Sequence, residues 1–339
     1  MALKVLPLLM AGLLVAASHA ALAQDKPVKL TLSTWLPPAH QINTALQEWA
    51  DDIEKTSGGS LAPVLFTSEQ LGKAFDHYDM TRDGLVDFGL VNPGYQPGRF
   101  PIVAAGELPF LIANGRGGSA AMDSWYAAYR EREMKDVRVC FILALEPGVW
   151  NGKKKILMPA DIRGLKVRPA NATVGAFVTL LGGTNVQASA PEAREVLERG
   201  VADEITFTLG TLMLFGMDKV VNYHMDEPFY SVTFAWVMNK AKYASLPPSG
   251  KAVIDAHCTP DWAEKVATPF ALFEQNGRAQ VSALPGHDVY KLTPEQKKAW
   301  REAALPLKAR WAARVKDVDP DTVYNGLTGA LRAHDALSE

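Results

Sequence analysis

The stretch DIRGLKVRPANAT, Asp161 to Thr173, holds a short strand, a stop and the approach to a helix. Its centre, Leu165-Lys166-Val167-Arg168, reads as a β-strand that ends in a charge followed at once by Pro169. Proline cannot donate to a strand ladder, so the strand stops at Arg168. From Thr173 to Leu181 the pattern turns helical and closes at Gly182-Gly183. In α/β sheets ligands bind outside the carboxyl ends of the strands. A guanidinium there presents a planar fork of donors that matches a carboxylate bidentately. An internal salt bridge to an aspartate or glutamate is the other use of such a residue, and the local residues leave both open. A buried arginine without its anion is costly, and a ligand that supplies the partner makes that cost tolerable.

The same strand-and-helix grammar extends outward. Val28 to Ser33 alternates as a first strand, ended by Trp35-Leu36-Pro37-Pro38. Ile42, Leu46, Trp49, Ala50 and Ile53 fall at helical spacing, with Gly58-Gly59 as the stop. Leu61–Phe66 and Val86–Val91 read as strands around a helix at Tyr78–Arg82. Val137 to Leu145 is an apolar run expected to be a buried strand. Asn185–Ala188 and Ala202–Phe207 read as strands around a helix that Ser189 caps, with Glu192 reaching back. Tyr230 to Val237 is dense in aromatic and β-branched residues and suits a long strand returning to the first sheet. A long helical stretch, Ser249 to Leu284, should be kinked or divided by Pro260 and Pro269. Thr293-Pro294-Glu295-Gln296 opens another helix through about Lys316. Alternating strands and helices imply an α/β fold. At 339 residues, two α/β lobes joined by more than one chain crossing are expected, with a cleft between them for a small ligand.

The chain begins with Lys4 ahead of an apolar run from Val5 to Ala17, then small residues ending Ala21-Leu22-Ala23. This is the pattern of a secretory signal peptide cut after Ala23. The apolar run is shorter than a spanning helix needs. The expected product is an exported, periplasmic protein. The formal charge of −2 argues against a nucleic-acid surface. Cys140 and Cys258 both lie in apolar surroundings that suit buried free thiols, while export also permits a disulfide between them, and the sequence leaves the pairing open.

Catalytic patterns are missing. The sequence has no G-x-S-x-G, H-E-x-x-H, P-loop or G-x-G-x-x-G. Its histidines are scattered, none at metal-ligand spacing with another. His224 reads as a hydrogen-bonded core histidine, and Asp51-Asp52 and Asp226-Glu227 as solvated faces. Neither a cofactor nor a metal is expected. The enzyme alternative, a periplasmic hydrolase or lyase, would rest on His224 or the Asp226-Glu227 pair.

Six motifs stand in an order that resembles the solute-binding subunits of TRAP (tripartite ATP-independent periplasmic) transporters, of the C4-dicarboxylate-binding type. They are SEQLG (Ser68–Gly72), RDGLVDFGLV (Arg82–Val91), GYQPGRFP with ELPFL (Gly94–Pro101, Glu107–Leu111), PADIRGLKVR (Pro159–Arg168), EAREVLERGVAD (Glu192–Asp203) and MNKAKYASLPP (Met238–Pro248). The resemblance implies a two-lobed clamshell with a sheet in each lobe and a long helix bracing both. It implies that Arg168 pairs with a ligand carboxylate and that the closed form docks on a membrane permease. Transport or sensing of the ligand are both compatible with it. The implied division is a leader at 1–23, one lobe at 24–146 plus 232–275, and a second at 147–231 plus 276–339 with the C-terminal helices, the whole acting as a monomer.

Two positions depart from the family pattern. Phe207 stands where relatives often carry a ligand-contacting asparagine, and Gly148-Val149-Trp150 lacks the second arginine found about twenty residues before the first. Two polar contacts have become apolar or aromatic. A monocarboxylate with an apolar or aromatic body is therefore expected rather than a C4-dicarboxylate or a sialic acid. The expected walls are Trp35, Phe75, Tyr95, Trp150, Thr206, Phe207 and Tyr230 around Arg168.

Overall fold

Val28–Ser33 (β1) alternates as its sequence predicts, with Leu30 and Leu32 buried. In the computed structural model, which describes residues 26–338, β1 pairs in parallel with Leu61–Phe66 (β2) and Phe88–Val91 (β3). The leader read at residues 1–23 lies outside the described residues. The helix Gln41–Thr56 joins β1 to β2 and buries the stripe Ile42, Leu46, Trp49, Ala50 and Ile53. Gly58 and Gly59 follow at positive φ, where glycine carries no Cβ penalty.

The remaining strands are Val137–Ala144 (β4), Val149–Gly152 (β5), Lys166–Arg168 (β6), Thr184–Asn185 (β7), Glu204–Phe207 (β8), Tyr223–Met225 (β9), Thr233–Asn239 (β10) and Asp288–Tyr290 (β11). They form two sheets, ordered β2-β1-β3-β10-β4 and β11-β9-β5-β8-β6-β7. β10 enters the first sheet antiparallel between β3 and β4, as the return of the chain predicts. Among the described residues no helix is long and apolar enough to cross a membrane.

The chain crosses between lobes after β4 and again before β10. The crossings are laced together: Leu145 N–H donates to Val232 O, Gly148 N–H to Tyr230 O, and Phe229 N–H to Gly148 O, at 2.9, 2.9 and 3.0 Å. A 23-residue helix, Pro260–Ser282, braces both lobes. It packs on Gln41–Thr56 and Gly115–Tyr126 in one lobe and on Leu209–Leu214 in the other. The last contact is backbone to backbone. A Cβ on Gly277 would lie 2.2 Å from the Gly210 Cα.

Several boundaries differ from the sequence pattern for identifiable reasons. Pro260 divides the expected long helix outright: Pro248–Ala256 ends, and Pro260 opens the next helix behind its cap Thr259. Pro269 stays inside that helix, where it removes one backbone bond and crowds the carbonyl of the preceding turn. Pro306 similarly splits the helix expected from Thr293 to Lys316 into Pro294–Ala304 and Pro306–Ala312. Ser189 does not act as a capping acceptor, because its N–H and hydroxyl both donate to Glu192 Oε2 and the helix begins at Ala193. Cys140 and Cys258 are not free thiols; they form a disulfide that ties β4 to the turn after Pro248–Ala256. The C-terminal segment contacts both lobes. Trp300 Nε1 donates to Leu157 O, while in the last helix, Pro320–Ala333, Val323 O accepts from Trp125 Nε1.

Candidate ligand-binding site

β6 carries Val167 into the core and ends at Arg168, whose side chain is enclosed at 1 % exposure. Its Nε donates to Ala188 O at 2.9 Å and its Nη2 to the Tyr95 hydroxyl at 3.2 Å. Nη1 is buried with no hydrogen-bond partner, and among the described residues the guanidinium forms no ion pair. The Phe207 ring centroid lies 5.7 Å from its Cζ. Arg168 lines a pocket walled largely by aromatic side chains.

Tyr95 comes from the other lobe, on the turn Pro93–Tyr95 after β3. Its hydroxyl also accepts from Ala190 N–H at 2.8 Å, so one phenol joins the two lobes beside the cation. Burial raises its pKa, which keeps it a neutral hydrogen-bonding group. Trp35 packs against Tyr95 at 5.7 Å and edge-on to Phe234 at 5.3 Å, fixed by its Nε1 bond to Leu90 O. Tyr230 lies over Gly148, where a Cβ would sit 2.4 Å from the ring. The glycine in the stretch lacking a second arginine therefore makes room for an aromatic wall.

Of the residues read from the sequence, Trp35, Tyr95, Arg168, Phe207 and Tyr230 line this one cavity. Trp150 does not. It is stacked on Phe229 at 5.1 Å and packs on Trp300 in the core. The reason is strand alternation: Trp150 pairs with Thr206, one residue from Phe207, and faces the opposite side of the sheet. Thr206 is also turned from the cavity, and its hydroxyl accepts from Ala170 N–H at 2.8 Å, fixing the backbone just beyond Arg168. Phe75 reaches the site only through Tyr95, 4.9 Å away, from a neighbouring cleft that it shares with Pro169 and Gln187.

Sequence reasoning missed His40, Glu146, Phe215, Phe234 and Phe270, which also line the cavity. His40 Nδ1 accepts from Ile42 N–H, and its ring stacks on Phe270 at 5.2 Å. Burial pushes its pKa down to about 3, so it is uncharged at ordinary pH. Glu146 is the first charge after the apolar run of β4, the same signal that singled out Arg168. Thr208 and Thr211 complete one wall, held by Glu274, which accepts from Thr208 Oγ1, Gly210 N–H and Thr211 N–H at 2.8, 2.6 and 2.8 Å. Arg168 is the sole lysine or arginine among the lining residues.

The groups an enzyme would use lie elsewhere. His224 is buried between Asn151 Oδ1 and His287 Nδ1, at 2.8 and 2.9 Å. It is a core histidine as predicted, although the fold does bring a second histidine against it. Asp226 and Glu227 are not solvated faces: both carboxylates are largely buried and paired, with Arg278 at 2.7 Å and Lys297 at 2.6 Å. No cluster of three or more His, Cys, Asp or Glu suited to a metal occurs among the described residues.

The model of bacterial extracellular solute-binding protein family 7 (DctP) matches residues 32–314. The chain belongs to this family. Members of DctP family 7 bind solutes, and the chain is a solute-binding protein rather than an enzyme. A solute-binding protein of Albidiferax ferrireducens is 20% identical over 278 residues, covering 78% of this chain and 79% of that protein. An uncharacterised protein of Sinorhizobium fredii is 25% identical over 178 residues, and there the match spans only 33% of the relative's length. Among solved structures, a TRAP solute-binding protein of Rhodoferax ferrireducens in complex with copurified benzoate superposes with a TM-score of 0.85 at 25% identity, covering 91% of this chain and 98% of that one. A TRAP solute-binding protein of Bordetella bronchiseptica with bound (R)- and (S)-mandelate gives 0.84 at 28% identity, covering 91% and 99%. A marine-metagenome TRAP protein specific for aromatic acids, in complex with metahydroxyphenylacetate, gives 0.85 at 26% identity, covering 91% and 99%.

Proposed function

We propose that this protein captures a small aromatic monocarboxylate in the periplasm and hands it to a TRAP-type permease. The observation that carries the reading is a buried guanidinium with one nitrogen unpartnered, facing a cavity walled by aromatic rings. The ligand carboxylate completes the hydrogen bonding of Arg168, a charge-assisted contact of roughly 1.5–3 kcal/mol net. The ligand body packs on Trp35, Tyr95, Phe207 and Tyr230, and each good aromatic pair adds roughly 0.5–1.5 kcal/mol beyond area burial. The aromatic acids held by the benzoate, mandelate and hydroxyphenylacetate relatives support this choice.

Trp35 and Tyr95 come from one lobe, Arg168 and Phe207 from the other and Tyr230 from the crossing between them, so the ligand gains its full contacts only in the closed form. Differential affinity then shifts the population to that form, which the permease reads. The bodies that move are residues 24–146 with 232–275, and 147–231 with 276 onward, after the leader is cut at Ala23. No bond in the ligand is broken, and the protein acts as a monomer.

A thermal-shift panel of aromatic, 2-oxo and dicarboxylic acids tests the reading. An aromatic monocarboxylate should raise the melting temperature most, in proportion to the logarithm of its concentration once saturating, and be recovered unchanged. Stabilisation by dicarboxylates alone, or turnover of the bound acid, would remove the proposal.

A further inference from the structure

Glu146 is the other charged side chain with a stake in this cavity. It follows β4 where the chain leaves the first lobe. Its Oε2 accepts from Gly115 N–H at 2.8 Å, at the start of the helix Gly115–Tyr126. Gly115 permits that approach, since a Cβ there would lie 2.8 Å from the Glu146 backbone nitrogen.

Helix capping alone does not account for this glutamate. Asn114 already caps the helix, its Oδ1 accepting from Gly117 N–H at 2.8 Å, and a short polar side chain is the usual solution. The bond to Gly115 fixes the side chain and uses one oxygen. Oε1 has no hydrogen-bond partner among the described residues. Burial raises the Glu146 pKa, and the bond from Gly115 N–H and the charge of Arg278, itself paired with Asp226, oppose that rise and favour the carboxylate. Arg168 forms no ion pair with it.

We propose that Glu146 sets the charge of the ligand this cavity takes. One carboxylate is accepted, at Arg168; a second is rejected, because the half-buried Glu146 lines the same pocket with a like charge. The free oxygen is instead a hydrogen-bond acceptor for a hydroxyl or amino group on the ligand body. This rests on the aromatic-monocarboxylate reading above. The physical basis is that two carboxylates sharing a poorly hydrated site disfavour one another's charged forms, and that discrimination is built from a repulsive element as well as attractive ones. The loss of the second arginine removes an attraction for dicarboxylates; Glu146 adds a repulsion.

The test is calorimetric titration of benzoate and of the three benzenedicarboxylate isomers into the wild type, Glu146→Gln and Glu146→Asp, with folding checked by thermal melts. Glutamine keeps an acceptor for Gly115 N–H and removes the charge; aspartate keeps the charge. The wild type should bind benzoate and reject all three diacids. In Glu146→Gln the affinity of at least one diacid relative to benzoate should rise roughly tenfold or more, the scale of relieving a like-charge juxtaposition, while Glu146→Asp keeps the rejection. A wild type that binds a diacid as tightly as benzoate, an unchanged ratio in Glu146→Gln, or relief in Glu146→Asp as well, overturns the proposal. A wild type that binds diacids but no benzoate overturns the aromatic-monocarboxylate reading with it.

Discussion

Burying a guanidinium with one nitrogen unpartnered costs free energy that the bonds to Ala188 and Tyr95 offset only in part. That imbalance is what a ligand carboxylate removes. It also means that Arg168 contributes little to the empty fold, so its removal should lower affinity far more than stability. Glu107 illustrates the opposite arrangement, a buried acid satisfied by neutral partners. It accepts from Thr173 Oγ1 and Thr233 Oγ1 at 3.0 and 3.2 Å, and burial pushes its pKa from 4.5 up to about 7. Between those values the folded protein holds the extra proton, so this group's contribution to stability falls as pH rises through the interval and is lowest above about pH 7. The full effect is of the order of 3 kcal/mol. Glu107→Gln should therefore melt progressively higher relative to the wild type as pH rises from about 5 to about 8. A pH-independent difference would refute the assignment. Arg168 was legible because a charge ends an apolar strand and a proline follows. Glu146 carries the same signal, a charge two residues beyond the apolar strand β4 with Pro147 directly after it. His40 resembled any other polar residue before a helix.

At the scale of elements, the wall formed by Thr208 and Thr211 depends on how closely Leu209–Leu214 lies against the bracing helix. Gly277→Ala drives a methyl onto the Gly210 Cα, backbone against backbone, where no side chain is able to give way. The expected cost is about 1–3 kcal/mol, as for other overpacked contacts, accompanied by weaker ligand binding because the threonine wall moves. Denaturant unfolding and titration check both; full stability would show that the helices are not in contact. Helix periodicity and capping were readable at this scale, since both are local. Strand faces were less so. Trp150 is the second residue of β5 and Phe207 the last of β8, and only the pairing of Trp150 with Thr206 reveals that they face opposite sides. Proline breaks were foreseen, but whether a proline divides a helix, as Pro260 does, or is absorbed, as Pro269 is, depends on the packing around it.

For the whole molecule, the two-sheet architecture was visible in the alternation of strands and helices, whereas the disulfide was not. Cys140 and Cys258 are 118 residues apart, and apolar surroundings suit a free thiol and a bridge equally. Their proximity follows from the fold bringing β4 to the end of the Pro248–Ala256 helix, where Arg138 also pairs with Asp255 at 2.7 Å. Reduction should lower the unfolding free energy by roughly 2–5 kcal/mol, read as a shift of the denaturation midpoint; an unchanged midpoint would mean that the bridge does not constrain the unfolded chain. Closure also belongs to this scale. Tyr95→Phe removes a hydroxyl that serves Arg168 and Ala190 across the cleft, and should open the ligand-free ensemble, seen as a larger radius of gyration by small-angle scattering; an unchanged radius would deny the hydroxyl that role. The account as a whole turns on the anion that Arg168 receives. Calorimetric titration of the most stabilising acid from the panel into wild type and Arg168→Ala decides it. The predicted result is an affinity loss of roughly tenfold to a hundredfold or more with little change in melting temperature; near wild-type affinity in the variant contradicts the account.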